Sequence, residues 1–141
     1  MQPTWILYSL LGMFLLSLSV GLRMLQLRYR AVLKDNVRPS YFKLNRGAKL
    51  PDYLAQATQH YDNLYETPVL FYVIVILAYI LGVVDWVTLS LAYGYLISRI
   101  FHALIHMNSN HLLRRRNIFL VTIVILTFMW LYVFTRLIFA A

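Results

Sequence analysis

The chain contains no cysteine. It therefore forms no disulfide and has no thiolate metal ligand or cysteine nucleophile, so any thiol chemistry requires a thiol that a ligand supplies. Charge is also scarce, because only 13% of the residues are charged and only five are acidic. Soluble domains carry about 25% charged residues, and this composition therefore excludes an ordinary soluble globular domain.

Hydrophobic residues make up 61% of the 141 residues and are concentrated in four long runs. These runs cover about residues 3–22, 52–84, 86–107 and 117–135. About twenty helical residues rise about 30 Å, which is the thickness of the hydrocarbon core of a bilayer. We therefore predict an all-α integral membrane four-helix bundle, with a single domain over residues 1–141.

The charges between the runs predict the orientation of the chain. The net charge is +8, and nine of the thirteen Lys and Arg residues fall in loops over about 29–51 and 108–116, whereas the loop around Asp85 has none. Since cytoplasmic loops carry the excess of Lys and Arg, we predict both termini on the non-cytoplasmic side. The first run lacks a preceding basic segment, so we interpret it as a span and not as a signal peptide. No aromatic-basic surface module accompanies the charge, and we predict no nucleic-acid partner.

Polar residues recur at helical spacing within the second and third runs. The first set is Gln56, Gln59, Asn63 and Glu66, and the second is Tyr95, Arg99, His102 and His106. Spacings of three and four place each set on one helix face. An ionisable group inside a span is costly unless it is paired, so we predict an ion pair between Glu66 and Arg99. The alternative interpretation is that these residues only hold the helices together.

Cations gather at one predicted membrane level beside these two sets. Arg23, Gln26 and Arg30 end the first run, and residues 114–116 are three arginines that open the last. This arrangement indicates a polar, anionic ligand, although charges that fix topology alone would also explain it. A metal or haem held by His102 and His106, with Glu66 or His111, is a less favoured hypothesis, and we predict no metal ligand.

Two motifs resemble signatures of a known family. Asn63, Glu66, Pro68 and Phe71 form an Asn-x-x-Glu-x-Pro-x-x-Phe pattern, and Arg99-Ile-Phe-His102 precedes a basic loop. The first motif is similar to the second-helix signature of the membrane-associated proteins in eicosanoid and glutathione metabolism (MAPEG), and the other to their third-helix signature. The four-run layout agrees with that family over the whole chain. The chain is identified as a divergent member of bacterial type.

The resemblance implies a homotrimer that binds glutathione at each subunit interface, open to the cytoplasm. It also implies that Asn63 and Glu66 hold glutathione, that His102 contacts the ligand, and that Arg116 or a neighbouring arginine activates the thiol. With Arg116 as the catalytic residue, the predicted glutathione-binding set is Arg30, Gln59, Asn63, Glu66, Arg99, His102 and His106.

The sequence departs from the family pattern at three positions. Gln59 and Asp62 stand where many catalytic or prostaglandin-branch members have arginine, and His106 replaces a family tyrosine. The resemblance implies a glutathione-dependent transferase or peroxidase-like protein that acts on lipophilic electrophiles. The missing arginines favour the alternative, a non-enzymatic lipid-binding or scaffold subunit of a larger membrane complex. In either case we expect a multi-pass protein of the bacterial inner membrane that contacts lipid and hydrophobic small molecules.

Overall fold

The computed structural model describes residues 2–44, 50–107 and 111–140. Residues 45–49 and 108–110, which belong to the two predicted basic loops, lie outside the described residues. A 3-10 turn over Pro3–Ile6 leads into the first helix. The helices are α1 (Leu7–Lys34), α2 (Tyr41–Leu44), α3 (Asp52–Asn63), α4 (Thr67–Ile80), α5 (Trp86–Met107) and α6 (Leu112–Ala140).

Four helical segments are long and apolar enough to cross a bilayer, which confirms the prediction of four spans. They are Pro3–Lys34, Asp52–Ile80, Trp86–Met107 and Leu112–Phe139. The first span is longer than predicted, because α1 continues through the basic segment after residue 22 and ends only at Lys34. Its 28 residues rise about 42 Å at 1.5 Å each. Since the hydrocarbon core is about 30 Å thick, the end of α1 with its arginines extends beyond it.

The second span is interrupted between α3 and α4. Helical structure stops at Asn63 and resumes at Thr67, with Pro68 in the first turn of α4. Proline has no backbone N–H and its ring clashes with the carbonyl of the residue four positions earlier, so the helix breaks just before it. In the turn that follows, the carbonyls of Tyr61 and Asp62 accept hydrogen bonds from the N–H groups of Leu64 and Tyr65 at 3.0 Å each.

The helices pack around an apolar core that includes Met13, Phe71, Ile74 and Tyr95, all fully buried. The Phe71 and Tyr95 rings stack with centroids 4.2 Å apart. Gly12 lets α1 approach α5 closely, because a Cβ atom there would lie 2.6 Å from Leu96 Cδ2. Many large apolar side chains on the outer faces remain exposed in the single chain, as expected where lipid or another subunit covers them.

Asp85 organises the end of the bundle at which α4 turns into α5. Its Oδ1 accepts a hydrogen bond from the Thr88 backbone N–H (2.9 Å), and the Asp85 N–H donates to Thr88 Oγ1 (2.8 Å). On α6, the Tyr132 hydroxyl donates to Asp85 Oδ2, and Arg136 Nη1 lies 3.5 Å from the same oxygen. Partial burial disfavours the charged form, but the hydrogen bonds from Thr88 and Tyr132, together with Arg136, hold the pKa of the Asp85 carboxyl below its ordinary value.

Candidate functional site

Four nitrogen-bearing side chains are buried together near the opposite, basic end of the bundle. Arg99, His102 and His106 come from α5, and His60 comes from α3; each is at most 2% exposed. The His60 and His106 rings stack with centroids 4.7 Å apart, and the His102 centroid lies 6.1 Å from that of His60 and 5.8 Å from that of His106. We call these four residues the buried cluster.

Arg99 is held by the break in the second span. Its Nη2 donates to the backbone carbonyl of Asn63 at 3.1 Å, one of the carbonyls at the end of α3. Its Nε and Nη1 are buried and have no hydrogen-bond partner among the described residues. The hydrogen-bond acceptor for Arg99 is thus a backbone carbonyl at the break in the helix, whereas the sequence predicts the Glu66 carboxylate.

The predicted ion pair between Glu66 and Arg99 is wrong for the single chain. The Glu66 side chain is exposed, and within residues 2–44, 50–107 and 111–140 it forms no ion pair with Arg99. The prediction assumed an unbroken helix that turns 100° per residue. Glu66 instead precedes α4 with φ −90° and ψ −82°, so the helical phase does not continue from Asn63 to Glu66.

A cleft of about 380 Å³ lies beside the buried cluster, between the end of α3 and the start of α6; we call it the outer cleft. Its lining residues are Asn63, His102, Leu112, Leu113, Arg115, Arg116 and Phe119. Arg115 Nη1 lies 3.2 Å from His106 Nε2. Arg116 is exposed, and its Nε and Nη2 donate to Asn117 Oδ1 at 3.4 and 3.3 Å.

A second cleft of about 160 Å³ lies between α1, α3 and α5; we call it the inner cleft. Its lining residues are Val20, Arg23, Met24, Leu27, Arg30, Tyr53, Gln56, Ala57, His60, His106 and Met107. His106 therefore lies between the two clefts. It lines the inner cleft, and its Nε2 contacts Arg115, which lines the outer cleft.

Comparison with known proteins gives one match. The model of the MAPEG family matches residues 4–135. The chain belongs to the MAPEG family. No curated protein and no solved structure matches it. Membership in a family of membrane four-helix bundles agrees with the four apolar helices, so this MAPEG protein is a multi-pass membrane protein.

The structure of this MAPEG protein divides the residues predicted to bind glutathione. The outer cleft contains Asn63, His102 and the predicted catalytic Arg116, and the inner cleft contains Arg30 and His106. Gln59 and Glu66 are exposed and line neither cleft, and Arg99 lies in the buried cluster without lining either. The predicted polar stripe of the second span therefore does not form one continuous face.

Two residues of the site were not predicted. His60 was not included, although it follows Gln56 by four positions, which is the spacing that places both on one helix face. In the structure both line the inner cleft, and Gln56 Nε2 donates to the backbone carbonyl of His106. Arg115 was treated only as a neighbour of Arg116. Sequence spacing alone does not rank adjacent arginines, because each points about 100° away from the next.

The described ranges contain no group of three or more His, Asp or Glu side chains arranged to hold a metal ion. His111, which the metal hypothesis would use as a third ligand with His102 and His106, is exposed. The guanidinium of Arg115 can only donate, so His106 Nε2 accepts from it and Nδ1 of that neutral ring carries the hydrogen. The Nδ1 atoms of His102 and His106 and Nε2 of His60 have no hydrogen-bond partner among the described residues.

Proposed function

We propose that this MAPEG protein is a glutathione-dependent transferase or peroxidase-like membrane protein that acts on lipophilic electrophiles, and that the outer cleft holds the glutathione thiol. The observation that carries the proposal is the pairing of two arginines with the buried His102 in one cleft. The chain has no cysteine, so the reactive thiol belongs to the ligand. Family membership supports glutathione as that ligand.

The residues of the outer cleft fit a thiolate ligand. A free cysteine thiol has a pKa of about 8.5, so most of it is protonated at neutral pH. A guanidinium within contact distance stabilises the thiolate and lowers that pKa. Leu112 and Leu113, which open α6, line the cleft, so the positive end of the helix dipole adds to the same effect. No cysteine nucleophile of the protein is needed.

Arg115 is the better supported of the two arginines for stabilising the thiolate. It is half-buried and reaches His106, whereas Arg116 is exposed and bonded to the neighbouring Asn117. A charge that is partly removed from water acts more strongly on a nearby group than an exposed one. We therefore assign thiolate stabilisation to Arg115, place Arg116 at the rim, and assign Asn63 and His102 to holding the peptide part of glutathione.

A homotrimer with a site between subunits is part of the same proposal. Asp62 and Glu66 lie within the second span and are exposed in the single chain. Ionisable side chains that face lipid are costly, so a neighbouring subunit that covers them would remove this cost. Glu66 would then meet its partner or the ligand across the interface, which is consistent with the absence of a contact to Arg99 in one chain.

A non-enzymatic lipid-binding or scaffold role is the second candidate. It is favoured by two exposed residues, because Gln59 stands where many catalytic members have arginine and Asp62 stands where the prostaglandin branch has one. Calorimetry with glutathione on the full-length protein in detergent separates the two candidates. Binding with ultraviolet absorbance of a thiolate at neutral pH supports the enzyme, whereas no binding at millimolar glutathione contradicts it. Native mass spectrometry of the same sample tests the trimer.

A further inference from the structure

The inner cleft has the composition of a binding site of its own. It is separate from the outer cleft, because the two share no lining residue. Its volume of about 160 Å³ is more than ten times the roughly 10–15 Å³ that one water molecule needs. We propose that the inner cleft binds the acidic headgroup of an amphiphilic anion, such as a long-chain carboxylate or an acidic phospholipid, inside a single subunit.

The polar wall of the cleft offers hydrogen-bond donors and positive charge. Arg23 and Arg30 lie seven residues apart on one face of α1 and both line the cleft. None of the described residues that line it is an Asp or a Glu. The Tyr53 hydroxyl donates to Asp35, which lies outside the cleft. An acidic group is therefore the complementary ligand.

Two fully buried imidazoles line the cleft and lack partners. His60 is 2% exposed and its Nε2 has no hydrogen-bond partner in the described part of the chain. His106 is fully buried, and its Nδ1 carries a hydrogen that no described residue accepts, because its Nε2 is used by Arg115. A buried polar group without a partner costs free energy, so these two imidazoles, together with the arginines, make this wall of the cleft polar and favour a polar ligand beside it.

The polarity of the walls sets the orientation of the ligand. Val20 and Met24 form the apolar wall on α1, and Arg30 lies at the end of α1 that carries the basic loop. Val20 is ten residues from Arg30, which corresponds to about 15 Å along the helix. The cations thus lie at the level of lipid headgroups and the apolar wall lies deeper. An amphiphile in the bilayer presents its acid and its chain in the same order.

Imidazole NMR of the full-length protein in detergent can test the proposal, because the chain has only four histidines. Titration with oleate should shift the signals of His60 and His106 and leave that of the exposed His111 unchanged. Phosphatidylglycerol in place of oleate identifies a lipid headgroup as the source of the acid. Methyl oleate, which keeps the chain and lacks the charge, should bind at least about tenfold more weakly, as loss of a charge-assisted hydrogen bond predicts.

Variants locate the bound acid. Replacing both Arg23 and Arg30 with Gln should weaken oleate binding about thirtyfold, since two cations near the membrane surface are lost. His60→Phe should also weaken it, and because both arginines are exposed, their replacement tests the site even if His60→Phe does not fold. Arg114→Gln is the matched control, because Arg114 is an exposed cation of the same basic end that lines neither cleft.

Several results would overturn the proposal. If methyl oleate bound as tightly as oleate, the cleft would not recognise the acid group. If acetate bound as tightly as oleate, the hydrocarbon chain would contribute nothing to binding. Displacement of oleate by glutathione would assign the inner cleft to the thiol ligand instead. Loss of glutathione binding alone would contradict only the proposed function of the outer cleft, because oleate binding to the inner cleft does not depend on it.

Discussion

The two ends of the helical bundle differ in how they satisfy their buried polar groups. Where α4 turns into α5, Asp85 receives hydrogen bonds from Thr88 and Tyr132 and lies beside Arg136. At the basic end, described nitrogens of Arg99 and of the three histidines remain buried without partners. A satisfied carboxylate fixes two helices to one another, whereas an unsatisfied cluster leaves donors for something that the single chain does not supply.

The free energies involved explain why this difference points to function. Each buried polar group without a partner costs about 1–3 kcal/mol, which is a large part of the 5–15 kcal/mol by which typical proteins are stable. Such a cost is tolerated where a ligand or another subunit supplies the missing partners. The Asp85 network should therefore govern stability, and the basic end should govern ligand binding and turnover.

The largest expected effect is on turnover at the basic end. Arg115→Ala should lower turnover of glutathione with a model electrophile by about 10²–10³-fold, because it removes charge that stabilises the thiolate. Glutathione affinity should fall much less, since the peptide part is held elsewhere. Steady-state kinetics and calorimetry on the same preparation measure both quantities.

Arg114→Ala is the control for Arg115→Ala, because it removes the adjacent charge without touching the outer cleft. It should leave turnover nearly unchanged.

Arg116→Ala distinguishes the assignment of the activating arginine made from the sequence, Arg116, from the assignment made from the structure, Arg115. A larger loss from Arg116→Ala than from Arg115→Ala would place the activating group at the position that the sequence predicts.

Arg99→Gln should lower the free energy of unfolding by roughly 1–3 kcal/mol, because it removes the hydrogen bond that the guanidinium donates to the carbonyl of Asn63. Glu66→Gln alone should have little effect on a single chain, and the double variant should show additive losses. Thermal unfolding of all three variants in one detergent measures the coupling. A coupling well above about 0.5 kcal/mol between positions 66 and 99 would indicate a direct contact of the two side chains that the single chain does not make.

Asp85→Asn should cost about 1 kcal/mol at neutral pH, because the uncharged amide weakens the hydrogen bond from the Tyr132 hydroxyl and the attraction to Arg136. The folded-state pKa of Asp85 is depressed, so its charge stabilises the fold above the unfolded pKa of about 3.9, and this contribution is lost as the pH falls through the folded pKa. The melting temperatures of wild type and variant should therefore begin to converge below about pH 4 and should coincide once the pH lies below the folded pKa. A difference that persists unchanged in acid would show that the carboxylate charge contributes nothing.

The smallest effect concerns which end faces the cytoplasm. Because the chain has no cysteine, single cysteines at the exposed Gln2 and Lys43 can be labelled selectively. Both substitutions should change stability by no more than about 0.5 kcal/mol. Lys43 should react only from the cytoplasmic side and Gln2 only from the opposite side. Labelling of both positions from one side would show that α1 does not cross the bilayer and would contradict the four-span topology.

Hydropathy was sufficient to predict the spans because a helix that crosses lipid must satisfy its backbone internally and present apolar side chains. It did not predict where α1 ends, since the arginines after residue 22 leave the hydrocarbon core without ending the helix. Asn63 and His102, which the family resemblance places at one ligand, line one cleft although they come from α3 and α5. Their role in binding glutathione stays a prediction.

The sequence by itself determined the four apolar helices, the absence of a protein thiol and the concentration of cations at one end, because these follow from composition and from local spacing. Only the tertiary structure decided which polar groups meet. The break before Pro68 turned Glu66 outward and gave Arg99 the carbonyl of Asn63, and helix packing brought His60 of α3 against His106 of α5. Helix rotation and crossing depend on contacts between distant segments, and periodicity within one segment does not contain that information.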